Sequence, residues 1–483
     1  MPVRPLMREQ SWLLPPSLDD LLSADHPVYF VAAFVDELDE ATWSGLGVRV
    51  DGEELGAPAY HPRLLLSVWL YGFMTGVRSS RKLEVACREQ LPYLWLTAMQ
   101  TPDHNTLWRF YQEHRQGMRK LLKCTVGTAV AAGLVDLALQ AVDGSKVGGN
   151  AARDRTYDAE GLKRLLGRTE AAIADLEAQN QTSGAETPAR LPQELRRQEN
   201  LREKVRAALQ QVEAAEGGRV NLTDADAVLL KGSHGGYLAG YNAQVVVSPV
   251  KSETESGADK RFLITAAEVS QKPDDHSELI GMLEASEASL GERAEVTLAD
   301  AGYHSGENLS ACAERGQTVV MPETQAKKLA NPYHKDAFGY DAASDSYTCP
   351  QGQSLAYMSS KQSGKGRLVR RYRGKAAICR ACPAFGVCTK DRLHGRTLEI
   401  GPDEPALREH RVLMATETAR SLYKRRKELV EPAFGIIKEQ QGGRRFLLRG
   451  LANVLAEWSL LAVAFNLRLL ARIWHASFPA RTA

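Results

Sequence analysis

The sequence lacks a strong excess of either charge. Its 61 lysines and arginines are balanced by 59 aspartates and glutamates, which gives a formal net charge of +2. A uniformly basic nucleic-acid-binding protein is therefore excluded, and any nucleic-acid surface must come from local clustering of basic side chains. With 483 residues, 43% hydrophobic and 25% charged, we expect a soluble globular protein of about two or three structural units.

Long apolar runs and a disulfide framework are also missing. The N-terminal sequence MPVRPLMREQSWLLPP has no continuous apolar segment behind a basic start, so we expect no signal peptide. The most apolar late stretch, 460–465, is bounded by polar residues and falls far short of the roughly 20 residues that cross a bilayer. Seven cysteines are an odd number, which argues against paired disulfides. We therefore expect a cytoplasmic protein with no membrane segment.

Acidic residues are absent from one basic segment, 361–380, with the sequence KQSGKGRLVRRYRGKAAICR. Such a run is typical of a nucleic-acid surface, and about as often it is only a solubilising or disordered loop. Its basic residues are Lys361, Lys365, Arg367, Arg370, Arg371, Arg373, Lys375 and Arg380.

The first 130 residues are predicted to be mostly helical, because HPVYFVAAFVDELDE and PRLLLSVWLYGFMTGV carry apolar residues at helical spacing. Pro62 suits a first helical turn. Ser79 or Ser80, and Asp103 or Asn105, are candidate caps of two further helices. Several short helices are compatible with a helix-turn-helix DNA-binding unit and equally with a plain helical bundle.

Two aspartates are predicted at strand ends. VDLALQAVDGSKVGG alternates as a strand that ends at Asp143, and AEVTLADAGYHSG contains a buried strand followed by Asp300. Asp143 alone is better explained as a turn residue, since Asp-Gly is a common turn dipeptide, and one acid at a strand end is weak evidence while two are better. If the two strands are neighbours, however, both carboxylates lie at one edge of a sheet.

The surrounding pattern predicts a mixed α/β sheet. Residues 155–217 read as a helical hairpin with coiled-coil character. GGYLAGYNAQVVVSPV and KRFLITAAEVS then read as an antiparallel strand pair. A helix, a strand, a helix and a strand follow in SELIGMLEASEASLG, AEVTLAD, GENLSACAERG and TVVMPE.

A third acid stands in the segment 425–467, which reads as a long helix. Glu431 and Lys438 are seven residues apart and so lie two turns apart on one helical face. Taken alone, this pattern is better explained as a solvated amphipathic helix with incidental ion pairs. If Glu431 joins Asp143 and Asp300, three carboxylates converge, and such a set suits Mg²⁺ or Mn²⁺ and phosphoryl transfer.

The motifs AVDGSKV, TLADAGYHSG and VEPAFGIIK, in this order behind a helical segment containing YHPRLLLSVWLYGFMTGVRSSRKLE and PDHNTLWRF, closely resemble the DDE transposases of bacterial insertion sequences. The resemblance implies an RNase H-like mixed sheet with flanking helices, whose catalytic acids map onto Asp143, Asp300 and Glu431 and hold two Mg²⁺ or Mn²⁺ ions. It also implies an enzyme that binds the terminal inverted repeats of its element, cuts DNA there and joins the ends to target DNA. Because two DNA ends must meet, we expect a homodimer acting at the bacterial nucleoid.

The resemblance and the composition together predict a domain plan. A helical DNA-binding domain is expected at 1–130 and a catalytic domain at 131–328 with 401–475. The helical hairpin at 155–217 and a basic, cysteine-bearing segment at 329–400 are expected as insertions. In the second insertion YTCPQGQSL and ICRACPAFGVCT supply a set of cysteines that suits a structural Zn²⁺ or, equally, reduced thiols packed in a small subdomain. These are Cys349, Cys379, Cys382 and Cys388.

The C-terminal motif departs from the family spacing of a tyrosine, an arginine, the glutamate and a lysine. Counted from Glu431, Lys438 fits, but Lys424 and Lys427 occupy the tyrosine and arginine positions, with Tyr423 and Arg426 one residue earlier. Glu428, one turn before Glu431, is a second candidate acid. We expect DNA contacts from a set of basic and aromatic residues: Tyr423, Arg426, Lys427, Lys438, Arg444, Arg445, Arg449, Arg370 and Arg371.

Other polar residues near these motifs are weaker candidates. Tyr303 and His304 follow Asp300 and could touch DNA, although a histidine at a strand end is more often structural. Asn242 and Gln244 in GYNAQVVV would face the site only with the right strand phase, and Asn466 is expected to hydrogen-bond among packed helices. Two rival functions remain open, a DNA-binding protein that does not cut and a metal-dependent nuclease without strand transfer.

Overall fold

The structure is a computed structural model that describes residues 17–50, 59–182, 191–214, 218–232, 235–251, 261–323, 331–362 and 366–477. The N-terminal segment for which no signal peptide is expected, and Lys365 of the basic segment, lie outside these residues. The described chain contains helices and a mixed sheet, which confirms the predicted α/β class.

The N-terminal region is helical, as predicted. Pro62 lies in the first turn of its helix, and Asp103 caps another by accepting a hydrogen bond from the Thr106 amide at 2.8 Å. Ser79 occupies the capping position of a third helix. The helices are α1 (Leu18–Leu21), α2 (Pro27–Asp36), α3 (Glu40–Leu46), α4 (Pro62–Thr75), α5 (Ser80–Glu89), α6 (Leu91–Leu96), α7 (His104–Met118) and α8 (Leu121–Ala131).

A large sheet follows these helices. Its strands are β1 (Leu139–Gly148), β4 (Val228–Lys231), β5 (Tyr237–Pro249), β6 (Phe262–Ser270), β7 (Val296–Leu298) and β8 (Thr318–Val320). The strand order is β4-β5-β1-β7-β8, and β6 also pairs with β5. β1 is antiparallel to β5 and parallel to β7, and β7 is parallel to β8. Two helices connect the later strands, α11 (Leu279–Leu290) and α12 (Gly306–Glu314).

The prediction that the first strand ends at Asp143 is wrong. β1 continues to Gly148 because β5 pairs with it over Ala141–Gly148. Among the described residues, β7 pairs with β1 only over Leu139–Ala141. Asp143 therefore lies just beyond the point where β7 ends, on an edge of β1 that β7 leaves open.

Two long helices, α9 (Ala159–Thr182) and α10 (Leu191–Ala214), occupy the segment that was predicted as a helical hairpin. A short strand pair closes its base, β2 (Thr156–Tyr157) with β3 (Val220–Asn221). Apolar side chains from both helices, including Leu162, Val205 and Val212, form a separate small core between them. The hairpin is thus a self-packed arm between β1 and β5.

The region after β8 forms a second, smaller sheet. Its strands are β9 (Gly339–Asp341), β10 (Ser346–Thr348), β11 (Ser354–Gln362), β12 (Leu368–Gly374) and β13 (Thr397–Ile400), in the order β13-β12-β11-β10-β9, with α13 (Ala376–Ala381) beside them. Phe338, Tyr347, Leu355, Tyr372 and Leu398 form its core. Most of the described part of the basic segment belongs to β11, β12 and α13, so it is structured chain rather than a loop.

The predicted long helix at 425–467 is wrong, because the chain forms two helices there. α15 (Glu417–Gly435) continues into a π-helical turn, Ile436–Gln440, and α16 (Leu451–Ser477) begins after a bend. Gly442 has a φ of +67° at the bend, and Gly443 packs against Ile437 so closely that a Cβ would lie 2.7 Å from its side chain. α14 (Glu404–Ala415) precedes this pair.

The apolar stretch in α16 is longer than predicted. Its segment Leu451–Ala476 is long and apolar enough to cross a membrane, so the expectation that this stretch falls far short of a span is wrong. The apolar residues extend well beyond 460–465, and 89% of the most apolar window is buried inside the protein. Because α16 packs against α2, α4, α7, α8 and β6, it is a core helix that joins the N-terminal helices to the large sheet.

Candidate active site

Asp143 and Asp300 meet at the open edge of the large sheet. Asp143 lies within β1, and Asp300 follows the neighbouring strand β7 and caps a short 3₁₀ helix by accepting a hydrogen bond from the Gly302 amide at 2.8 Å. The Arg426 guanidinium lies between them, with Nη2 2.7 Å from Asp143 Oδ1 and 4.0 Å from Asp300 Oδ2. Two acids from distant parts of the sequence therefore share one cation that the protein itself supplies.

The electrostatics of Asp143 explain why that cation is there. Burial raises the pKa of the Asp143 carboxyl to about 6, Arg426 opposes the rise, and the charge of Asp300 adds to it. The carboxylate has lost much of its hydration, so its charged form depends on a nearby positive charge. A divalent cation would meet the same need more strongly.

α15 supplies the basic and aromatic residues of the site. Lys438 Nζ, in the turn that follows the helix, donates a hydrogen bond to Ser145 Oγ at 2.6 Å, two residues along β1 from Asp143. Burial lowers the pKa of Lys438 and raises that of Tyr423, and the charges of Asp300 and Asp143 raise the Tyr423 pKa further. Tyr423 and Arg426 thus lie near the two aspartates, although they stand one residue away from the family spacing.

Glu431 is not brought into contact with the aspartates. It is exposed, and within the described ranges it makes no hydrogen bond or ion pair. At about 100° per residue, its five-residue separation from Arg426 turns it roughly 140° away around the helix. Glu428 is also exposed and lines a groove with Arg468 and Arg472. Lys427 is exposed on the same helix.

Sequence reasoning missed one acid of the site, Asp275. Its Oδ1 accepts hydrogen bonds from Asn242 Nδ2 and Gln244 Nε2, both at 2.6 Å. Asn242 and Gln244 therefore have the strand phase that faces the site, and Tyr303 donates its hydroxyl hydrogen bond to Gln244 Oε1. Burial raises the pKa of Tyr303 well above its ordinary value, which keeps the phenol neutral. The sequence signal for this polar cluster was the Asn-x-Gln pattern in β5, because residues two apart on a strand face the same side.

Two other polar residues singled out in the sequence, Asn466 and His304, are buried in the protein. Asn466 is fully buried and exchanges hydrogen bonds with the Ile264 backbone, as expected of a residue among packed helices. His304 is buried with its ring centroid 5.5 Å from that of His410. Burial lowers the pKa of both histidines, to about 4 for His410.

Several of the arginines predicted to contact DNA are held by the protein. Arg445 donates to the carbonyls of Gly149 and Ala151 at 2.8 and 3.0 Å, and Arg449 donates to that of Asn150 at 3.1 Å. These bonds fix the loop that follows β1. Their contacts with DNA stay a prediction.

The remaining arginines of that set are more exposed. Arg444 pairs with Glu439 while keeping a 72% exposed side chain. On the small sheet, Arg370 pairs with Asp345 at 2.5 Å and lies over the Tyr357 ring, and Arg371 lies 3.5 Å from Glu399. All three face acidic neighbours, so any DNA phosphate would compete with a carboxylate.

The four cysteines of the small sheet line one cavity. Three of their sulfurs accept backbone N–H bonds, from Gln353 to Cys349 at 3.3 Å, from Ala384 to Cys382 at 3.4 Å, and from Arg396 to Cys379 at 3.5 Å. Burial raises the pKa of Cys388, and the other three cysteines add to the rise. The thiols are thus neighbours, as the spacing predicted.

Neither region is already arranged around a metal. In the described part of the chain, no group of three or more histidine, cysteine, aspartate or glutamate side chains is positioned to hold an ion. The chemistry of the donors nevertheless fits, since carboxylate oxygens suit Mg²⁺ or Mn²⁺ and four thiolates suit Zn²⁺. At the acid site the Arg426 guanidinium lies between the two carboxylates.

Two family models match parts of the chain. The family model described as Transposase DDE domain matches residues 348–471, and that described as Transposase domain (DUF772) matches residues 16–113. The first match contains the small-sheet cysteines and α15, and the second covers the N-terminal helices through most of α7. No curated protein and no solved structure matches the chain. The two family matches confirm the resemblance of this chain to the DDE-type transposases of insertion sequences.

Proposed function

We propose that this transposase binds the terminal inverted repeats of its element, cleaves DNA at them and joins the released 3′ ends to target DNA by metal-dependent phosphoryl transfer. The observation that supports this most directly is the meeting of Asp143 and Asp300 around the Arg426 cation at the open edge of β1. A buried acid beside a second acid is a suitable site for a divalent ion that acts on phosphate.

The strand arrangement supports an RNase H-like core. Three antiparallel strands, β6, β5 and β1, are followed by β7 and β8, both parallel to β1 in direction. The helical hairpin enters between β1 and β5, and the small sheet enters between β8 and α14. Both therefore have the positions expected of insertions into such a core.

In this proposal Asp143 and Asp300 hold the metal, and Glu431 is the third acid that the family resemblance assigns. When bound, a pair of Mg²⁺ or Mn²⁺ ions would activate the attacking oxygen and stabilise the leaving one. Lys438 and Tyr423 flank the acids and would position the scissile phosphate. Arg426 would neutralise the aspartates in the absence of the metal.

The proposed DNA surface extends from this site. Exposed Lys427 and Arg444 lie on the C-terminal segment, and Arg370 and Arg371 lie on the small sheet. Contacts of this kind hold the phosphate backbone without reading the base sequence. Because two ends must be joined, we propose a homodimer in the active complex, and we place the enzyme in the bacterial cytoplasm at the nucleoid.

The test uses the full chain and a DNA fragment that carries the element's own end. We expect nicking with Mg²⁺ and none with EDTA, and we expect Asp143→Asn and Asp300→Asn each to lose about a thousandfold or more of the cleavage rate. Asp175→Asn, an exposed aspartate of α9, is the matched control and should cleave as the wild type does. Cleavage by either active-site variant at the wild-type rate would overturn the assignment.

A second assay separates the proposal from its rivals. Pre-cut element ends are incubated with a plasmid, and joined products are counted. A nuclease without strand transfer would cut the intact ends but leave the pre-cut ends unjoined. A DNA-binding protein that does not cut would retard the end fragment in a gel and yield neither product.

A further inference from the structure

The segment that carries Asp275, between β6 and α11, is held by backbone hydrogen bonds close to Gly144 and Gly302. The Asp274 carbonyl accepts from Asn242 Nδ2 at 3.4 Å, and the His276 carbonyl accepts from Asn308 Nδ2 at 2.6 Å. The Asp275 carbonyl accepts from the Glu278 amide at 3.1 Å, just before α11. Three consecutive backbone carbonyls thus accept hydrogen bonds, and these bonds fix the position of the backbone that carries the Asp275 side chain.

The two oxygens of this carboxylate have different surroundings. Oδ1 accepts from Asn242 and Gln244 at 2.6 Å each and lies 3.6 Å from Lys146 Nζ. Oδ2 accepts no hydrogen bond among the described residues. It faces Gly302, where a Cβ would lie 3.3 Å from Asp275 Oδ2 and 2.8 Å from Asp300 Oδ1. One oxygen is anchored, and the other borders the same space as Asp300.

Two glycines make this approach possible. A Cβ on Gly144 would lie 2.6 Å from Asp275 Oδ1, and a Cβ on Gly302 would crowd both Asp275 and Asp300. Each glycine follows an acid of the site in the sequence, Gly144 directly after Asp143 and Gly302 two residues after Asp300. The absence of side chains there lets a third carboxylate reach the edge of the sheet where the first two meet.

One buried polar atom next to this carboxylate has no partner. Asn242 is fully buried and donates Nδ2 to Asp275, and its Oδ1 has no hydrogen-bond partner among the described residues. Lys146 Nζ makes no hydrogen bond there, and its ion pair with Asp275 Oδ1 is long, at 3.6 Å. A buried amide oxygen without a donor is costly, and Mg²⁺ and Mn²⁺ accept both amide and carboxylate oxygens as ligands.

We propose that Asp275 is a further ligand of the divalent cation at this site, where its Oδ2 acts together with Asp300. This rests on the proposed metal-dependent function. Asp275 would bind in addition to the acids of that proposal, and it lies beside Asp300 in this arrangement of α15, in which Glu431 is exposed. Asn242 and Gln244 are then positioning residues that hold Asp275 through Oδ1.

The test measures Mn²⁺ binding directly, without DNA cleavage. Mn²⁺ is titrated into the full chain, and free Mn²⁺ is followed by electron paramagnetic resonance. We expect Asp275→Asn to weaken Mn²⁺ binding at least tenfold, because it removes a charged oxygen ligand while keeping the shape of the side chain. Asp274→Asn is the matched control, since Asp274 is an exposed neighbour whose carboxylate makes no bond in the described chain, and it should bind as the wild type does.

The outcomes separate this inference from the proposed function. If Asp143→Asn weakens Mn²⁺ binding and Asp275→Asn does not, Asp275 is no ligand and the metal site of Asp143 and Asp300 stands. If the wild type binds no Mn²⁺, both proposals fail.

A second measurement covers the case in which Asp275→Asn does not fold, as judged by its thermal unfolding. Fe²⁺ bound in the wild type and supplied with ascorbate and peroxide should cut the backbone near 143, 300 and 275. Cuts at the first two positions without the third would overturn the inference.

Discussion

The acid site of the large sheet and the thiol cavity of the small sheet bring candidate metal ligands together in opposite ways. Asp143 and Asp300 are brought together around Arg426, a cation from the chain itself. The four cysteines are brought together with backbone N–H groups, and burial raises the pKa of Cys388. Carboxylates stay charged at neutral pH and need a countercharge, whereas thiols can be buried neutral.

This difference predicts different consequences of losing a metal. The acid site is electrostatically complete without an ion, so its metal should be exchangeable and should matter for catalysis. In the thiol cavity the Arg396 guanidinium donates to the Cys388 and Tyr333 carbonyls rather than to a sulfur, so a Zn²⁺ held by the four thiolates would contribute folding free energy.

Removing two thiols should disrupt the small sheet. We expect the wild type to contain about one zinc per chain and the double variant Cys379→Ser, Cys382→Ser to contain none. The small sheet should lose more than about 3 kcal/mol of stability, because structural zinc sites stabilise small folds directly. Hydrogen exchange across β11 and β12 would measure the loss.

Cys124 lies on α8, outside the cavity. The control variant Cys124→Ser should therefore keep the zinc content of the wild type. A double variant with unchanged exchange in β11 and β12 would show that the cavity holds neutral thiols. The contrast between the two regions would then be one of charge alone, with no second metal.

Replacing the internal cation should make the acid site depend on an external one. Arg426→Gln removes the partner of a largely buried Asp143, and we expect a loss of about 2 kcal/mol in the free energy of unfolding without metal. Mn²⁺ should restore more stability to this variant than to the wild type, because it fills the place of the guanidinium. Thermal unfolding with and without Mn²⁺ measures both effects.

Arg425→Gln is the matched control, since Arg425 is exposed on the same helix. It should change neither the stability nor its response to Mn²⁺. Equal Mn²⁺ responses in Arg426→Gln and the wild type would mean that the guanidinium does not occupy the metal position.

Much of the fold could be predicted from local patterns, but the site only in part. Asp143 was found because it follows an alternating apolar strand, yet the end of β1 was misplaced because pairing with the distant β5 decides it. Asp275 was missed because Asp-Asp after a proline reads as a turn. The sequence feature that could have pointed to this cluster is the two-residue spacing of Asn242 and Gln244, which places both side chains on the same face of β5. The position of Arg426 between two acids depends on how α15 packs, which no local pattern contains.

The smallest predicted effect concerns the junction between the two regions. Arg411 of α14 pairs with Glu323, just after β8, and with Asp336, just before the small sheet. His410 is buried beside it, and its pKa is lowered to about 4 by burial first, then by His304 and Arg411, against the opposing charge of Glu323. Protonation of His410 would therefore strain the helix that joins both sheets.

The sign of the pH effect follows from that lowered pKa. The unfolded chain binds the proton near pH 6.5, and the folded chain does so only near pH 4, so His410 favours folding above pH 6.5 and loses that contribution as the pH falls toward 4. Allowing for solvent screening, we expect a loss of about 1 kcal/mol over this window. Chemical denaturation should show that His410→Gln loses less free energy of unfolding on acidification than the wild type does. The control is His394→Gln, because the His394 side chain is 54% exposed, and it should lose as much as the wild type. If His410→Gln and the wild type lose the same stability on acidification, the junction does not sense pH through His410, and the two sheets are coupled by the Arg411 ion pairs alone.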